Sequence, residues 1–578
     1  MNSTGNYWTQ LTDTKFGRRA ALRGAALSGA GLAATSLIAC RTGGTATTGG
    51  SAASGAPQAS GGTPKTGGTF NTAIDKGPEG WDPHHSVAAQ TANFFSYVGG
   101  RMFRFRTGRD AKAKEDTDIE SDLALSGESP DGQTWTFKLR PNTKFHNVPP
   151  VNGHAVEAED VKATFQRALA PAAATRASLN MIDPEQIQTP APDTVVFKLK
   201  NPYAEFRYMM ASTKFAWILP REANAGSYDP LKTPIGSGPF VFDNYVPDSA
   251  VSYKRNPDYW EKSIPYLDGA RVVIMPERSA QEAQFTTGAL GDIRAPVADL
   301  ETLKKNVPSA SAVSFPPSHP LLGFYQLGDS SGPFTDIRVR RAVSMAIDRD
   351  ALNKVIWNGA ASDTEFYVPL NMGRWSLPLK EVDPSVQQYY KFDLAEAKKL
   401  IDAAGGSSLN VKLAFYTPDA DEKIKTAQAI FNMLKALPWQ INLVQADYAK
   451  DWLGSGKGVR YGALAKDTLA FSSTDGLTTV DDFLYGYFYS TSPTNIVRVK
   501  DTQLDGMLDK ARGIVNDDDR LKAYKDIQKY LIDKQYELSA IPAGNNTNLV
   551  WPWVQGYHCN IIEDNGRMAC SGVWLTKT

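Results

Sequence analysis

Polar and apolar side chains alternate without a break through Thr134-Trp135-Thr136-Phe137-Lys138-Leu139-Arg140. That is the period of a β-strand with one wet face, and Pro141 ends it. Over 159–169 the period lengthens, with Val161, Phe165 and Ala168 recurring at helical spacing. Asp336 can cap a helix whose Val339, Val343 and Ala346 share a face, and Asp348 can cap the next, which stops at Asn358-Gly359. A further capped helix runs over 393–405, with Leu394, Ala397, Ile401 and Ala404 facing inward. Asp517-Asp518-Asp519 reads as an acidic run ahead of one more helix, where carboxylates complement the dipole. Strands are expected at 271–275, 322–327, 411–416 and 441–445. The pattern is mixed α/β, with too many elements for one sheet.

The first 68 residues follow neither period. Arg18-Arg19 opens a basic stretch that continues to Arg23, and residues 24–39 carry no charge before Leu37-Ile38-Ala39-Cys40. A basic head, a short apolar run and small residues before a cleavage point predict a signal peptide over 1–39. The run is too short and too rich in Ala and Gly for a transmembrane helix. Leu-Ile-Ala-Cys resembles a lipoprotein signal, which makes Cys40 the lipidated mature N-terminus, and the paired arginines resemble a twin-arginine signal with Ala21 in the aromatic position. Residues 40–68 are almost entirely Gly, Ser, Thr, Ala and Pro, a flexible linker by composition. The expectation is a body held by lipid at the outer face of a membrane, in the periplasm or at the cell surface.

Composition narrows the chemistry. Hydrophobic residues at 42% and charged residues at 21% permit a sizeable core. The 62 basic and 62 acidic side chains cancel, and no basic stripe stands out, so nucleic acid is an unsuitable partner. Besides Cys40 there are only Cys559 and Cys570, which in an exported chain predict one disulfide. Gly454-Ser455-Gly456-Lys457-Gly458 fails as a phosphate loop, because Asp451 and Gly458 stand at its required Gly and Ser/Thr positions. Metalloprotease, nucleophile-elbow and zinc-ligand spacings are lacking, so no cofactor, no metal and no catalytic residue is expected. His84-His85 reads as a solvent-facing pair, and Asp481-Asp482 as an acidic run.

Several blocks together resemble the extracytoplasmic solute-binding proteins of ABC importers, in the family with oligopeptide-, dipeptide- and nickel-binding members. Trp81-Asp82-Pro83-His84 is similar to the family's Leu-Asp-Pro turn. Asp131-Gly132 through Asn142, Lys144-Phe145-His146 and Ala158-Glu159-Asp160-Val161 resemble its signature block. Further matches are Pro234-Ile235-Gly236-Ser237-Gly238-Pro239-Phe240, Lys254-Arg255-Asn256-Pro257-Asp258-Tyr259-Trp260, and the stretch from Pro333 to Arg349. The resemblance implies a two-lobed periplasmic-binding-protein-like α/β fold with a two-strand hinge and an enlarged N-terminal lobe. Lobe I would be 69–316, lobe II 317–534, and 535–578 the return to lobe I, with the strand at 322–327 as the first crossing.

The resemblance also implies a function: capture of a peptide-like or other small solute between the lobes, delivered to ABC permease subunits by a monomeric, non-enzymatic receptor. Asp475 matches the aspartate that pairs with a peptide's terminal amine in oligopeptide members, and Asp467 is a second choice. Tyr448 matches a pocket aromatic, and Asp421, just beyond Phe415-Tyr416, matches a position that touches ligand side chains. Trp81 is a cleft residue by its place in the Asp-Pro turn. Rival readings are a secreted hydrolase of peptides or glycans, and a sensory or chaperone receptor that binds without transport.

Overall fold

The structure, a computed structural model, describes residues 62–577 apart from 87–88, 107–117, 177, 316–320, 362–365, 417–420, 455–456, 474–478 and 558–567. Gly67 and Gly68, at the end of the expected linker, already belong to the fold. The Gly67 N–H donates to Tyr266 O (2.8 Å), and the Gly68 carbonyl accepts from Asp268 N–H (2.9 Å).

Among the described residues, lobe I is built on three sheets of three or four strands, beside shorter two-stranded pairings. Strand β1 (Thr69–Ile74) buries Phe70, Thr72 and Ile74, the alternation its sequence requires. The strand read from its alternation is present as β3 (Thr134–Leu139), beside β2 (Ala124–Glu128). Helix α1 (Ala158–Ala168) follows, its start closed by a capping box between Glu157 and Asp160. Strands β4 (Ile182–Ala191) and β5 (Thr194–Leu199) complete an antiparallel sheet of order β2-β3-β5-β4. Next come β6 (Phe240–Val246), β7 (Ala250–Arg255) and β8 (Gly269–Ile274), giving a second sheet β1-β8-β7-β6 in which β1 and β8 run parallel. Short strands β9 (Asp292–Arg294) and β10 (Ser311–Phe315) belong to the third.

Lobe II begins at β11 (Leu321–Tyr325). Helices α2 (Ile337–Met345), α3 (Arg349–Ile356) and α4 (Leu394–Ala403) start where their caps predict. Asp336 accepts from Arg338 N–H, Asp348 from Ala351 N–H and Asp393 from Glu396 N–H, at 2.8, 2.9 and 2.9 Å. Each cap is worth about 1 kcal/mol. Strand β12 (Asn410–Phe415), helix α5 (Asp421–Leu434), strand β13 (Gln440–Gln445) and strand β14 (Thr468–Ser473) come next. Helices α6 (Val480–Phe488), α7 (Thr502–Arg512) and α8 (Asp517–Lys534) lead to β15 (Glu537–Leu538). The acidic run 517–519 forms the first turn of α8 rather than preceding it, because Asn516 takes the capping position. The sheet order is β13-β12-β14-β11-β15, with β12 parallel to both neighbours. The chain then returns to lobe I as β16 (Asn546–Val550), the middle strand of β9-β16-β10.

The first change of sheet brackets the expected 316–317 boundary, whereas the return lies beyond the expected 535. The strand at 322–327 is not the first crossing, since β11 pairs with β14 and β15 inside the lobe II sheet. The chain changes sheets between Phe315 and Leu321, and returns between Leu538 and Asn546, not at 535. Separate apolar clusters sit in each part: Phe324, Trp375, Phe483 and Tyr524 in lobe II, Phe137, Phe165 and Phe197 in one part of lobe I, Phe70, Phe94 and Trp217 in another. No helix among the described residues is long and apolar enough to cross a membrane.

Candidate ligand-binding cleft

The return crossing is anchored by Arg349. This side chain opens α3 yet is buried, because its guanidinium donates to backbone carbonyls brought together by folding. Nε reaches Ala540 O at 2.7 Å, and Nη1 reaches Ser344 O at 2.9 Å and Tyr390 O at 3.1 Å. Nη2 reaches Ser344 Oγ at 3.0 Å and Ser539 O at 3.4 Å. Burial lowers the Arg349 guanidinium to about 10, against a smaller upward pull from the Tyr390 and Tyr325 rings. Ala540, whose carbonyl it holds, has φ +60°, a left-handed conformation an alanine keeps only when its surroundings enforce it.

On the lobe II side, the carboxyl ends of parallel strands β12 and β14 point the same way, the end at which ligands gather in such sheets. Tyr416 follows β12 there, buried, its N–H donating to Phe471 O (2.9 Å) and its carbonyl accepting from Ser472 Oγ (3.0 Å). Its ring lies 5.4 Å from that of Trp452. Burial raises the Tyr416 hydroxyl, with Asp451 adding a smaller push. Tyr448, partly buried against the lobe II core, opens the short helical segment Tyr448–Leu453 that carries Trp452. Asp421 is the first residue of α5, which follows β12. Asp475 lies outside the described residues, two positions beyond the end of β14.

The other expected site residues are elsewhere. Asp467 sits at the opposite end of β14 from Tyr416, ion-paired to Lys412 at 3.0 Å and accepting from Thr468 Oγ1 at 3.1 Å. Trp81 is a core residue, 5% exposed, because Phe94, Phe242 and Tyr245 close around it edge-to-face. Cys40 and Cys559 lie outside the described residues. Cys570 is buried, with Tyr97 Oη 3.8 Å from its sulfur. An open pocket of about 480 Å³, lined by Leu327, Arg340, Arg498, Lys500 and Asp501, also lies at the far end of the lobe II sheet, where β11 leads away from Tyr416.

One group of His and carboxylate side chains has metal-like proximity. His154, Asp160 and Glu222 place ligand atoms within 4.8 Å of one another. Arg221 already pairs with one member: its backbone N–H donates to Asp160 Oδ1 at 3.0 Å and its Nε lies 3.2 Å away, while His154 Nε2 and Glu222 Oε2 are 3.1 Å apart. The Asp160 carboxylate also accepts from Glu157 N–H at 2.8 Å, as part of the cap of α1. The cluster satisfies itself.

Across the cleft, the loop after β5 meets the starts and ends of three lobe II helices. Tyr203 Oη and Thr479 Oγ1 are 3.1 Å apart, Ala204 N–H donates to Arg512 O (2.8 Å), and Asp481 N–H donates to Glu205 Oε2 (3.1 Å). Arg512 lies 3.1 Å from Asp481 and stacks on Tyr485 at 3.8 Å, while Arg520 lies 3.8 Å from Glu205. Burial pushes the Glu205 carboxyl up to about 7 despite Arg520, and pushes Asp481 up to about 8 despite Arg512. In the sequence Asp481-Asp482 reads only as an acidic run, with no sign of burial. Asp481 is instead 3% exposed, and Glu205 had no local signal at all.

Comparison with known proteins fits this geometry. The pattern of the bacterial extracellular solute-binding proteins, family 5, middle region, matches residues 118–495. A heme-binding protein A of Haemophilus influenzae is 27% identical over 78% of this chain and 83% of its own length. The periplasmic oligopeptide-binding protein of the same species is 24% identical over 84% of this chain and 90% of its own. Among solved structures, an ABC transporter substrate-binding protein of Listeria monocytogenes superposes with a TM-score of 0.74 at 19% identity, over 89% of this chain and all of that one. A periplasmic binding protein of Helicobacter pylori bound to the peptide STSA gives 0.70 at 23% identity, over 89% and 99%. These relatives are binding proteins, and the chain belongs to family 5 of the bacterial extracellular solute-binding proteins.

Proposed function

We propose that this protein is a lipid-anchored, monomeric receptor that closes its lobes around a peptide-like solute and delivers it to the permease of an ABC importer. The observation that carries this reading is similarity, over 84% of this chain, to a protein named for oligopeptide binding, on a frame in which the chain passes from one lobe's sheets to the other's and back. Tyr416 and Tyr448 line the end of the lobe II sheet where Asp475 follows β14, and Asp475 takes the ligand's ammonium group. Asp421 lies at the same end. Cys40 carries the lipid after removal of residues 1–39, and Cys559 with Cys570 forms a bridge bracing the C-terminus.

The test begins with mass spectrometry of ligand released from the purified protein by mild denaturation. Calorimetry with the recovered peptide then compares wild type with Asp475→Asn. Leaving a buried ammonium unpaired costs about 2–5 kcal/mol, roughly two to three orders of magnitude in affinity. An affinity within twofold of wild type removes Asp475 from the site. Recovery of a porphyrin would favour a haem solute instead, the second reading suggested by the name of the Haemophilus influenzae relative.

A further inference from the structure

Glu205 from lobe I and Asp481 from lobe II meet where the two lobes touch, and both are 3% exposed. The groups around them leave the carboxylates under-neutralised. Tyr203, Arg207 and Tyr208 flank Glu205 on its own segment; Asp481 and Asp482 face it from α6, Arg512 from α7, and Asp517, Arg520 and Tyr524 from α8. Arg512 serves Asp481, whereas Arg520 divides itself between Glu205 and Asp517, which Arg374 also approaches at 3.5 Å. Among the described residues, Asp481 Oδ1 and the Tyr524 hydroxyl have no hydrogen-bond partner. The gap beside Glu205, lined by Phe105, Tyr208, Trp375, Thr479 and Val480, has a volume of about 10 Å³. That is room for about one water, too little to solvate a charge.

We propose that Glu205 and Asp481 form a proton-operated latch between the lobes, which favours the closed receptor in acidic medium and releases it as the medium turns alkaline. The inference rests on the reading of this chain as a closing receptor. Opening returns both carboxyls to water, where they titrate at about 4. Closing raises them to about 7 and about 8, so the closed form holds more protons in between. Closure is therefore strengthened as pH falls below these closed-state values, and weakened as pH rises through them. One proton taken up shifts the closing equilibrium by about tenfold per pH unit in that window. The backbone bond from Asp481 N–H to Glu205 survives protonation and supplies the register.

Small-angle scattering of the ligand-free protein from about pH 6 to about pH 8 tests this without knowledge of the solute. The radius of gyration of wild type should grow with pH, reflecting at least about a tenfold shift toward open molecules. Glu205→Gln combined with Asp481→Asn mimics the protonated pair and should hold the acid value throughout. A wild-type radius independent of pH, or a variant that follows wild type, overturns the latch. Should the variant not fold, hydrogen exchange of wild type decides. The Ala204 amide, bonded across the lobes to Arg512 O, must lose protection with pH beyond the intrinsic base-catalysed rise. Failure of the receptor reading itself is distinct, since that shows as no ligand recovered by mass spectrometry.

Discussion

Replacing Trp81 by Ala separates a core residue from a cleft residue. The indole contacts Phe94, Phe242 and Tyr245 at centroid distances of 5.9, 5.0 and 5.6 Å, with interplanar angles of 77°, 63° and 84°. Such edge-to-face pairs add about 0.5–1.5 kcal/mol each beyond burial, and truncating a buried Trp costs about 3–5 kcal/mol in all. Phe242 and Tyr245 lie on β6, the edge strand of their sheet, and are themselves only partly buried, so the wall of the cavity can relax. The lower part of the range applies, about 3 kcal/mol, against a total stability of about 5–15 kcal/mol. Urea unfolding followed by far-ultraviolet circular dichroism measures this, with Trp81→Phe expected to lose about 1 kcal/mol. Ligand affinity should stay within twofold of wild type. A loss of stability below about 1 kcal/mol together with a tenfold weaker affinity would refute the core assignment.

Two further expectations come from buried polar groups. Arg349→Met should destabilise by about 3 kcal/mol: several charge-assisted bonds worth about 1.5–3 kcal/mol each are lost, offset by no longer burying a cation that has no counter-ion among the described residues. Denaturant unfolding that shows less than about 1 kcal/mol would deny Arg349 its anchoring role. His146 is buried as a neutral ring, its Nε2 facing Gly238 O at 3.1 Å and its Nδ1 accepting from Gly236 N–H at 3.4 Å, and burial lowers it to about 4. The unfolded chain binds that proton at about pH 6.5, so this ring costs stability as pH falls below 6.5 toward 4. His146→Gln should therefore remove about 2 kcal/mol of acid destabilisation between about pH 7 and about pH 5, and equal pH dependence of variant and wild type would contradict it.

The local parts of the fold were legible. Asp336, Asp348 and Asp393 announced their helices because a cap needs only one side chain and an amide two or three residues on. The alternation at 134–140 became a strand for an equally local reason. Roles set by distant chain were not legible. Arg349 reads as an ordinary first-turn residue until the segment near Ala540, far along the chain, presents its carbonyls. Glu205 begins the short helix Phe206–Met209 without any hydrophobic period, and its burial depends on α6, α7 and α8 from the other lobe. Trp81 misled for a related reason. Its turn pointed to the cleft, but the three rings that enclose it come from α-helical and β-sheet neighbours that no local pattern pairs with it.

The place of β16 in its sheet has a consequence for the order in which this molecule can assemble. This strand pairs with β9 on one side and β10 on the other, yet it is supplied only after the whole of lobe II has been made. Lobe II has every strand of its own sheet once Glu537–Leu538 is available. A chain growing from its N-terminus thus completes the sheet of the inserted lobe first, while one sheet of the lobe it began with still lacks its middle strand. Pairings so far apart in sequence are slow to close, because the loop between them must be ordered before they contribute. Until then Ile293, Ala312 and the apolar residues behind them remain uncovered, and this sheet of lobe I is the last to become native.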